Sequence, residues 1–325
     1  MVARAGLVGL VALLAVIGTS IWRTRLGLRY ETWRVLHAIL AVIAVTFALV
    51  HVELVGYYVS TPWKRVLWAL MSITLVGLLV YVRLVKPFRL LRRPYRVASV
   101  DPEGDGTWTL RLRPQGHEGL RFQPGQFAWL IVGHSPFDVE EHPFSLSSSA
   151  ERPDEICMTI KELGDFTSEI SDVEPGTTAY VDGPYGVFTT DRNEAPAFAF
   201  VAGGVGITPV ISMLRTLADR EDRRPLTLVF ADATWDGMVF RDELERLRER
   251  LDLEVVYVLA EPHEGWEGET GHVTPELLDR VLPPGRERMA YFVCGPPPML
   301  SAVEDGLRER GVPAGRILTE RFDLV

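Results

Sequence analysis

Ala197-Phe198-Ala199-Phe200-Val201-Ala202-Gly203-Gly204-Val205-Gly206-Ile207-Thr208-Pro209 is an apolar run that breaks into a glycine turn and then opens a helix. A short apolar run bounded by glycine predicts a buried strand. A Gly-rich strand-to-helix turn lets backbone approach a phosphate and aims a helix N-terminus at it. Downstream the alternation continues: ITPVISMLRTLADR (207–220), LTLVFADA (226–233), FRDELERLRERL (240–251), LEVVYVLA (253–260), then MAYFVCGPPPMLSAVEDGLRER (289–310). Strand and helix in turn predict an α/β parallel sheet of nucleotide-binding type over residues 193–325.

Upstream the period changes. YRVASV (95–100) and TWTLRLRP (107–114) flank the turn PEGDG, and FAWLIVG (127–133), EICMTIKEL (155–163) and TTAYVDG (177–183) follow. Short strands with Gly/Pro punctuation predict a small antiparallel β-barrel over residues 91–192. The border TTDRNEAP (189–196) is polar and turn-rich.

Four motifs fall on these elements. His142-Pro143-Phe144-Ser145-Leu146-Ser147-Ser148 ends a barrel strand, where an aromatic and small hydroxyls suit a flavin ring and its N5 edge. Lys161 with Gly164-Asp165-Phe166-Thr167 opens a short helix, and exposed amides, an ammonium and a hydroxyl there suit a pyrophosphate. The third is the glycine turn, Gly203 to Pro209. Cys294-Gly295-Pro296-Pro297-Pro298-Met299 also follows a buried strand, at the carboxyl edge of the sheet where ligands bind. Each motif alone is weak: a glycine turn is commonly only a turn, and Cys294 reads equally as core. Their order on the expected elements is what carries weight.

Charge divides the chain. Residues 1–96 hold 13 Lys and Arg against Glu31 and Glu53, whereas the remaining 21 basic residues face 41 acidic ones, giving the net −9. A basic apolar end joined to an acidic end reads as a membrane anchor plus a cytosolic part. The acidic half argues against nucleic-acid binding. Cys157 and Cys294 are too few for a disulfide framework, a four-cysteine zinc site or an iron–sulfur cluster.

Residues 1–90 contain three apolar runs, Ala5–Trp22, Leu36–Val55 and Val66–Val85, each long enough to span a bilayer as a helix. No small-residue cleavage site follows the first. Arg23, Arg25, Arg29 and Arg34 lie between runs one and two, and Arg83, Lys86, Arg89, Arg92, Arg93 and Arg96 end the third. The positive-inside rule places the N-terminus outside and residue 86 onward in the cytoplasm of a multi-pass cell-membrane protein. The outer loop, Val52 to Pro62, offers only Glu53 and the Tyr57-Tyr58 pair. His37 and His51 lie fourteen residues apart on the second run. That spacing separates them by about 21 Å along a helix and returns them to within about 40° of one face. Two haem irons at two depths would suit such a pair, and so would two interfacial histidines.

In order and on these elements, residues 95–325 resemble the ferredoxin–NADP reductase-like flavoenzymes. The HPFSLSS form of the flavin motif, with RLGLRYETWRVLHAILAVIAVTFALVHV (25–52), resembles the ferric reductase/NADPH oxidase family of transmembrane flavocytochromes. The resemblance implies that Phe144 and Ser145 lie beside the isoalloxazine within an FAD site spanning His142 to Ser147. Lys161, Gly164 and Thr167 would hold the FAD pyrophosphate. Gly203, Gly204, Gly206, Ile207, Thr208 and Pro209 would cradle NADH or NADPH, with Cys294, Gly295, Pro296 and Met299 near its nicotinamide. Glu320-Arg321-Phe322 also matches, with Phe322 over the flavin face. Ser145, Cys294 and Phe322 thereby become the candidate catalytic residues.

The same resemblance implies haem b on His37 and His51, up to two per chain. The family has six membrane helices, with one histidine pair on the third and another on the fifth. This chain begins at what resembles the fourth. The partner histidines are therefore expected first from a helix preceding Met1, otherwise from a homodimer or a second membrane subunit. Where the family carries an arginine for the NADPH 2′-phosphate, this chain has Phe230-Ala231-Asp232-Ala233-Thr234. Asp232 repels a phosphate and accepts from a ribose hydroxyl, favouring NADH, with Arg223, Arg224 and Arg241 able to compensate. The expected activity moves electrons from NAD(P)H through FAD and haem across the membrane to a ferric chelate or dioxygen. The alternative is a membrane-tethered flavin reductase without haem that serves a partner protein. A haem-binding subunit with a decayed reductase half is disfavoured by the intact motifs.

Overall fold

The computed structural model describes residues 2–28, 30–57, 59–137, 141–283 and 285–322. Arg29 of the basic loop and Tyr58 of the outer loop lie outside them. The chain forms two compact units, Met1–Arg92 with His134–Glu141, and Arg93–Gly133 with His142–Val325.

In the first unit, α1 (Val2–Ile21) packs on α2 (Tyr30–Val55). Small residues allow this: Ala5, Gly9 and Ala12 are buried on α1, and a Cβ on Gly9 would lie 3.3 Å from the Ala48 amide nitrogen. The third apolar run is longer than expected. α3 (Pro62–Val80) continues through a π turn, Tyr81–Val85, into α4 (Lys86–Leu91). Pro87 explains the π turn. A helical proline lacks its N–H and clashes with the carbonyl four residues back. Here the Lys86 N–H reaches back to the Tyr81 carbonyl, widening the turn just ahead of the ring. Val2–Ile21, Leu36–Val55 and Pro62–Leu91 are long and apolar enough to cross a membrane. The segment 134–141 meets α4 through a Phe88–Phe137 edge contact at 5.1 Å and a Lys86–Glu141 pair at 3.4 Å.

The second unit holds two sheets. β1 (Tyr95–Gly104), β2 (Thr107–Pro114), β3 (Phe127–Val132), β4 (His142–Ser145), β5 (Ile156–Lys161) and β6 (Thr178–Tyr185) form an antiparallel sheet, ordered β4-β3-β6-β1-β2-β5. An isolated antiparallel bridge, Leu146 to Met158, joins the two edges and closes the barrel. One short helix, α5 (Asp165–Ser168), follows β5. Leu110, Leu112, Leu130, Leu146, Ile156, Met158 and Ile160 fill the barrel with almost no exposure.

The second sheet is all-parallel and ordered β10-β9-β8-β7-β11-β12. Its elements run β7 (Phe198–Gly203), α6 (Ile207–Asp219), β8 (Leu226–Asp232), α7 (Arg241–Arg248), β9 (Leu253–Leu259), β10 (Glu269–Thr270), α8 (Pro275–Val281), β11 (Ala290–Cys294), α9 (Pro297–Glu309) and β12 (Ile317–Glu320). β7 and β11 are buried along their whole length because helices cover both faces, which is why they read as unbroken apolar runs. β10, α8 and β12 escape a periodicity reading. β10 is two residues long, α8 seven, and β12 is half-buried at the sheet edge.

Candidate functional site

The flavin motif is itself a strand. β4 pairs antiparallel with β3, Ser145 opposite Phe127 and His142 opposite Leu130. Strand alternation turns successive side chains to opposite faces. Ser145 is buried, while His142 and Phe144 are half-buried with Phe166. His142 stacks on Phe166 at 3.9 Å and 15°, and Phe144 lies 6.0 Å from the same ring. Phe166 is thus an aromatic partner that the motif reading passed over, although it sits inside the quoted GDFT. Pro143 is half-buried beside them. Leu146 and Ser147 are not at the motif's surface. Leu146 is barrel core, and the fully buried Ser147 hydroxyl accepts from Thr159 Oγ1 at 3.0 Å.

Two residues of the expected pyrophosphate cradle have partners within the chain. Thr167 Oγ1 accepts from the backbone N–H groups of Leu163 (2.9 Å) and Gly164 (2.8 Å), so the hydroxyl caps the single-turn α5 itself. Lys161 Nζ pairs with Asp105 at 2.8 Å, and its charge offsets part of the burial that raises the Asp232 pKa.

At the carboxyl edge of the parallel sheet, the two turns expected to bind nucleotide interlock. A Cβ on Gly206 would run into the Cys294 carbonyl oxygen. One on Gly203 would meet Pro296 Cδ at 2.8 Å and Met299 Sδ at 2.9 Å. One on Gly295 would meet Met299 Cε at 2.5 Å. Gly204 takes φ +55°, a left-handed conformation that glycine adopts without steric cost. The glycines thus bring two strand-to-helix turns into contact and leave bare backbone at the edge where a phosphate would approach. Ile207, Thr208 and Pro209 are buried behind this surface, and the Thr208 hydroxyl donates to the Val205 carbonyl at 2.7 Å. Those three shape the turn from inside.

Cys294 ends β11, fully buried, and burial pushes its thiol pKa up. In the parallel register its neighbour on β12 is Glu320, and Phe322 follows two residues beyond, 40% exposed. Burial raises the Glu320 carboxyl above the ordinary range, and the thiol of Cys294 in turn feels its charge. Glu320, quoted in the C-terminal match without a role, lies beside Cys294 at this edge. A carboxyl raised on folding stabilises fully below its unfolded pKa, about 4.3. That contribution is lost as pH rises through the folded value. Glu320→Gln is therefore expected to melt at a higher temperature than the parent at pH 8, with the gap closing by pH 4. Parallel melting curves across that range would count against a Glu320 carboxyl raised by burial.

Asp232 closes β8. Its Oδ1 accepts from the Ala233 N–H at 2.6 Å, while Oδ2 is buried without a hydrogen-bond partner. Burial raises its pKa, and Gly204 lies opposite, 3.8 Å from Oδ2 to the ideal Cβ position.

In the apolar unit, His37 Nδ1 lies 3.2 Å from Ser20 Oγ, with its ring 5.0 Å from Trp33. His51 Nδ1 lies 3.0 Å from the Val2 carbonyl oxygen, and its ring lies flat where a Gly6 Cβ would stand. Both imidazoles are thus used in packing α1 on α2. Among the described residues there is no group of three metal-ligating side chains.

Comparison with known proteins agrees with the two-sheet reading. Residues 95–189 match the FAD-binding domain model, and residues 200–305 match the oxidoreductase NAD-binding domain model. These are domains of the ferredoxin–NADP reductase family. The chain carries both. NADH-cytochrome b5 reductase 1 of Debaryomyces hansenii is 38% identical over 146 residues, covering 44% of this chain and 51% of that protein. The reductase component of propane 2-monooxygenase from Rhodococcus jostii is 29% identical over 236 residues, covering 70% of this chain and 62% of that protein. The chain spans only 51% to 62% of the length of such curated relatives. In fold, the FAD/NAD-binding domain of a Vibrio cholerae nitric oxide dioxygenase superposes with TM-score 0.63 at 23% identity, covering 71% of this chain and 98% of that one. These relatives are not specifically ferric reductases or NADPH oxidases, so the narrower resemblance is not carried by them.

Two fits follow for the cofactors. β4, with His142 and Phe144 stacked on Phe166 along one face and Ser145 buried on the other, suits the edge of a flavin ring. The interlocked glycine turns, with Asp232 at the end of β8, suit a nicotinamide nucleotide.

Proposed function

We propose that this chain is an NADH-dependent FAD oxidoreductase tethered to a membrane by α1–α4. It passes electrons from NADH to an acceptor that it does not itself contain. The observation that carries this is the glycine interlock, in which Gly203, Gly206 and Gly295 let two backbone turns meet at the carboxyl edge of β7 and β11. Bound FAD would supply the redox chemistry, taking a hydride from the nicotinamide and giving up electrons singly. The residues do the rest. Ser145 and the aromatic group of Phe144, His142 and Phe166 orient the flavin edge. The bare turns seat the nucleotide phosphates, and Asp232 accepts from its ribose. Buried Cys294 and half-buried Glu320, whose pKa values burial raises, would line the sheet edge beside the nicotinamide. Phe322, 40% exposed two residues beyond Glu320, would be the residue that covers the flavin face. Basic residues at the ends of the apolar helices support a cytoplasmic flavin side in a multi-pass protein.

Purified full-length protein loaded with FAD and mixed anaerobically with NADH is expected to lose its flavin absorbance near 450 nm (~450 nm is the usual flavin band) within about a second, at the ordinary turnover scale. Protein that takes up no FAD, or whose flavin stays oxidised, would overturn the proposal.

A second reading, closer to a ferric reductase or NADPH oxidase, has its own support. Both histidines anchor Nδ1 on α1 at depths about 21 Å apart, and an anchored Nδ1 fixes Nε2 as the ligand atom. The missing axial ligands would come from a second membrane segment or subunit. Membranes expressing the chain with its native neighbours should then show reduced haem bands that His37→Ala and His51→Ala each diminish. Their absence leaves the tethered flavin reductase as the reading.

A further inference from the structure

One helix connects the two halves of the proposed site. α6 opens at the glycine turn where the nucleotide phosphates would sit, and its outer face runs along the chain that leaves the flavin motif. Ser212, Arg215 and Thr216 occupy one side of α6, at the three- and four-residue spacing that shares a face. The Ser212 hydroxyl donates to the Ser148 carbonyl at 2.7 Å. Arg215 Nη1 donates to the Ser147 carbonyl at 2.6 Å. The Thr216 hydroxyl accepts from the Ala150 N–H at 2.9 Å. Two consecutive carbonyls and one amide are thereby held by one helix. In a regular strand consecutive carbonyls point to opposite sides, so α6 shapes this turn together with β5, whose Cys157 carbonyl accepts from the Ser147 N–H at 2.8 Å.

Arg215 is the residue with the most invested. Nε and Nη2 form a two-pronged pair with Glu243 of α7, each at 2.6 Å. The guanidinium lies 5.2 Å from the Phe240 ring, and its side chain is 16% exposed. Three of its nitrogens are thus committed in one rigid geometry, something a lysine cannot reproduce. From the start of α6 to Arg215 is about 12 Å of helix.

We propose that Arg215 is a positioning residue for the flavin edge: clamped by Glu243, it fixes the Ser147 carbonyl and so the placement of Ser145. Through it, α6 sets the distance between the flavin motif and the nucleotide turn. The inference rests on the FAD and NADH reading of the two turns.

The test uses full-length FAD-loaded protein and three variants. Arg215→Lys keeps the charge and loses the fork. Glu243→Gln leaves Arg215 but loosens its clamp. Arg220→Ala is the control, because Arg220 ties the same helix to Glu151 and Asp191 at 2.6 Å each, beyond the serine turn. Arg215→Lys is expected to slow flavin reduction at saturating NADH about tenfold, with KM changed less than twofold. It should also shift the visible circular dichroism of the bound flavin and speed amide exchange at Ser147–Ala150. Glu243→Gln should move the same three readouts in the same direction by less. Arg220→Ala should lower thermal stability and leave flavin dichroism and the saturated rate in place. If Arg215→Lys and Arg220→Ala lower stability alike with no change in dichroism or saturated rate, Arg215 is merely structural and the proposal fails. If the parent protein binds no FAD or is not reduced by NADH, the underlying reading fails first, before any variant is compared.

Discussion

Gly206→Ala is expected to lower the rate of flavin reduction by NADH at least about 100-fold while FAD stays bound. The backbone at Gly206 is ordinary, φ −61° and ψ −8°, so an alanine meets no conformational penalty there. The obstacle is the Cys294 carbonyl oxygen, which the new methyl would overlap, with the Gly295 nitrogen 2.9 Å away. Backbone cannot swing aside as a side chain can, so the two turns must separate. Overpacking of this kind costs about 1–3 kcal/mol of stability. A displacement of about 1 Å at a reacting centre can cost about 100-fold in rate. The kinetic loss is therefore the larger effect, and it falls on the nicotinamide side, since the barrel holding FAD is untouched. Gly204→Ala makes the useful contrast. Nothing lies nearer than 3.8 Å to its Cβ position, but φ is +55°, so it should cost roughly 1 kcal/mol and little rate. Stopped-flow reduction and thermal unfolding of both variants separate the two mechanisms. Equal rates in Gly206→Ala and the parent would remove the glycine interlock from the site.

These glycines also show what a sequence discloses. GGVG and CGPP are legible as turns after apolar runs, because a buried parallel strand has no polar face to interrupt it. That the two turns touch is a tertiary fact that neither motif contains. The same limit applies to Lys161 and Thr167. Their residue types suit a phosphate, yet Thr167 satisfies the amides of its own turn and Lys161 finds Asp105, carried by a hairpin 56 residues upstream. Local chemistry names what a residue is able to do, and partners from distant sequence decide what it does. His37 and His51 likewise find partners on α1 that their spacing along α2 does not disclose. Leu146, quoted inside the flavin motif, alternates with Ser145 on β4's extension, so one of the two has to face the barrel core. The half-buried edge elements β10 and β12 carry too little periodicity to be read.

Asp232→Asn is expected to erode the preference for NADH over NADPH that the parent should show. Oδ2 of Asp232 is buried and unbonded, and an unsatisfied buried acceptor costs about 1–3 kcal/mol. A ribose hydroxyl donating to it would remove that cost, whereas a 2′-phosphate would set like charges together in a partly buried site. Hydrogen bonds to charged groups contribute about 1.5–3 kcal/mol, or roughly 10- to 100-fold in affinity. Of the arginines able to offset this, Arg241 and Arg224 are engaged elsewhere. Arg241 lies 4.5 Å above the Trp235 ring and donates to the Trp235 carbonyl at 2.7 Å. Arg224 pairs with Asp222 and covers the Phe198 ring at 4.3 Å. Arg223 and Arg224 precede β8, whereas Asp232 ends it, about 20 Å away along a seven-residue strand. The parent should therefore favour NADH in kcat/KM by about 100-fold or more, the top of that hydrogen-bond range. Asparagine keeps the acceptor for the Ala233 amide and removes the charge. NADH should then lose about tenfold, mostly in KM, while NADPH gains, because the repulsion goes with the charge. Steady-state kinetics with both nucleotides measure this directly. A parent that uses the two equally, or a variant with an unchanged ratio, would show that the ribose lies elsewhere and that Asp232 is an acid buried for structural reasons alone.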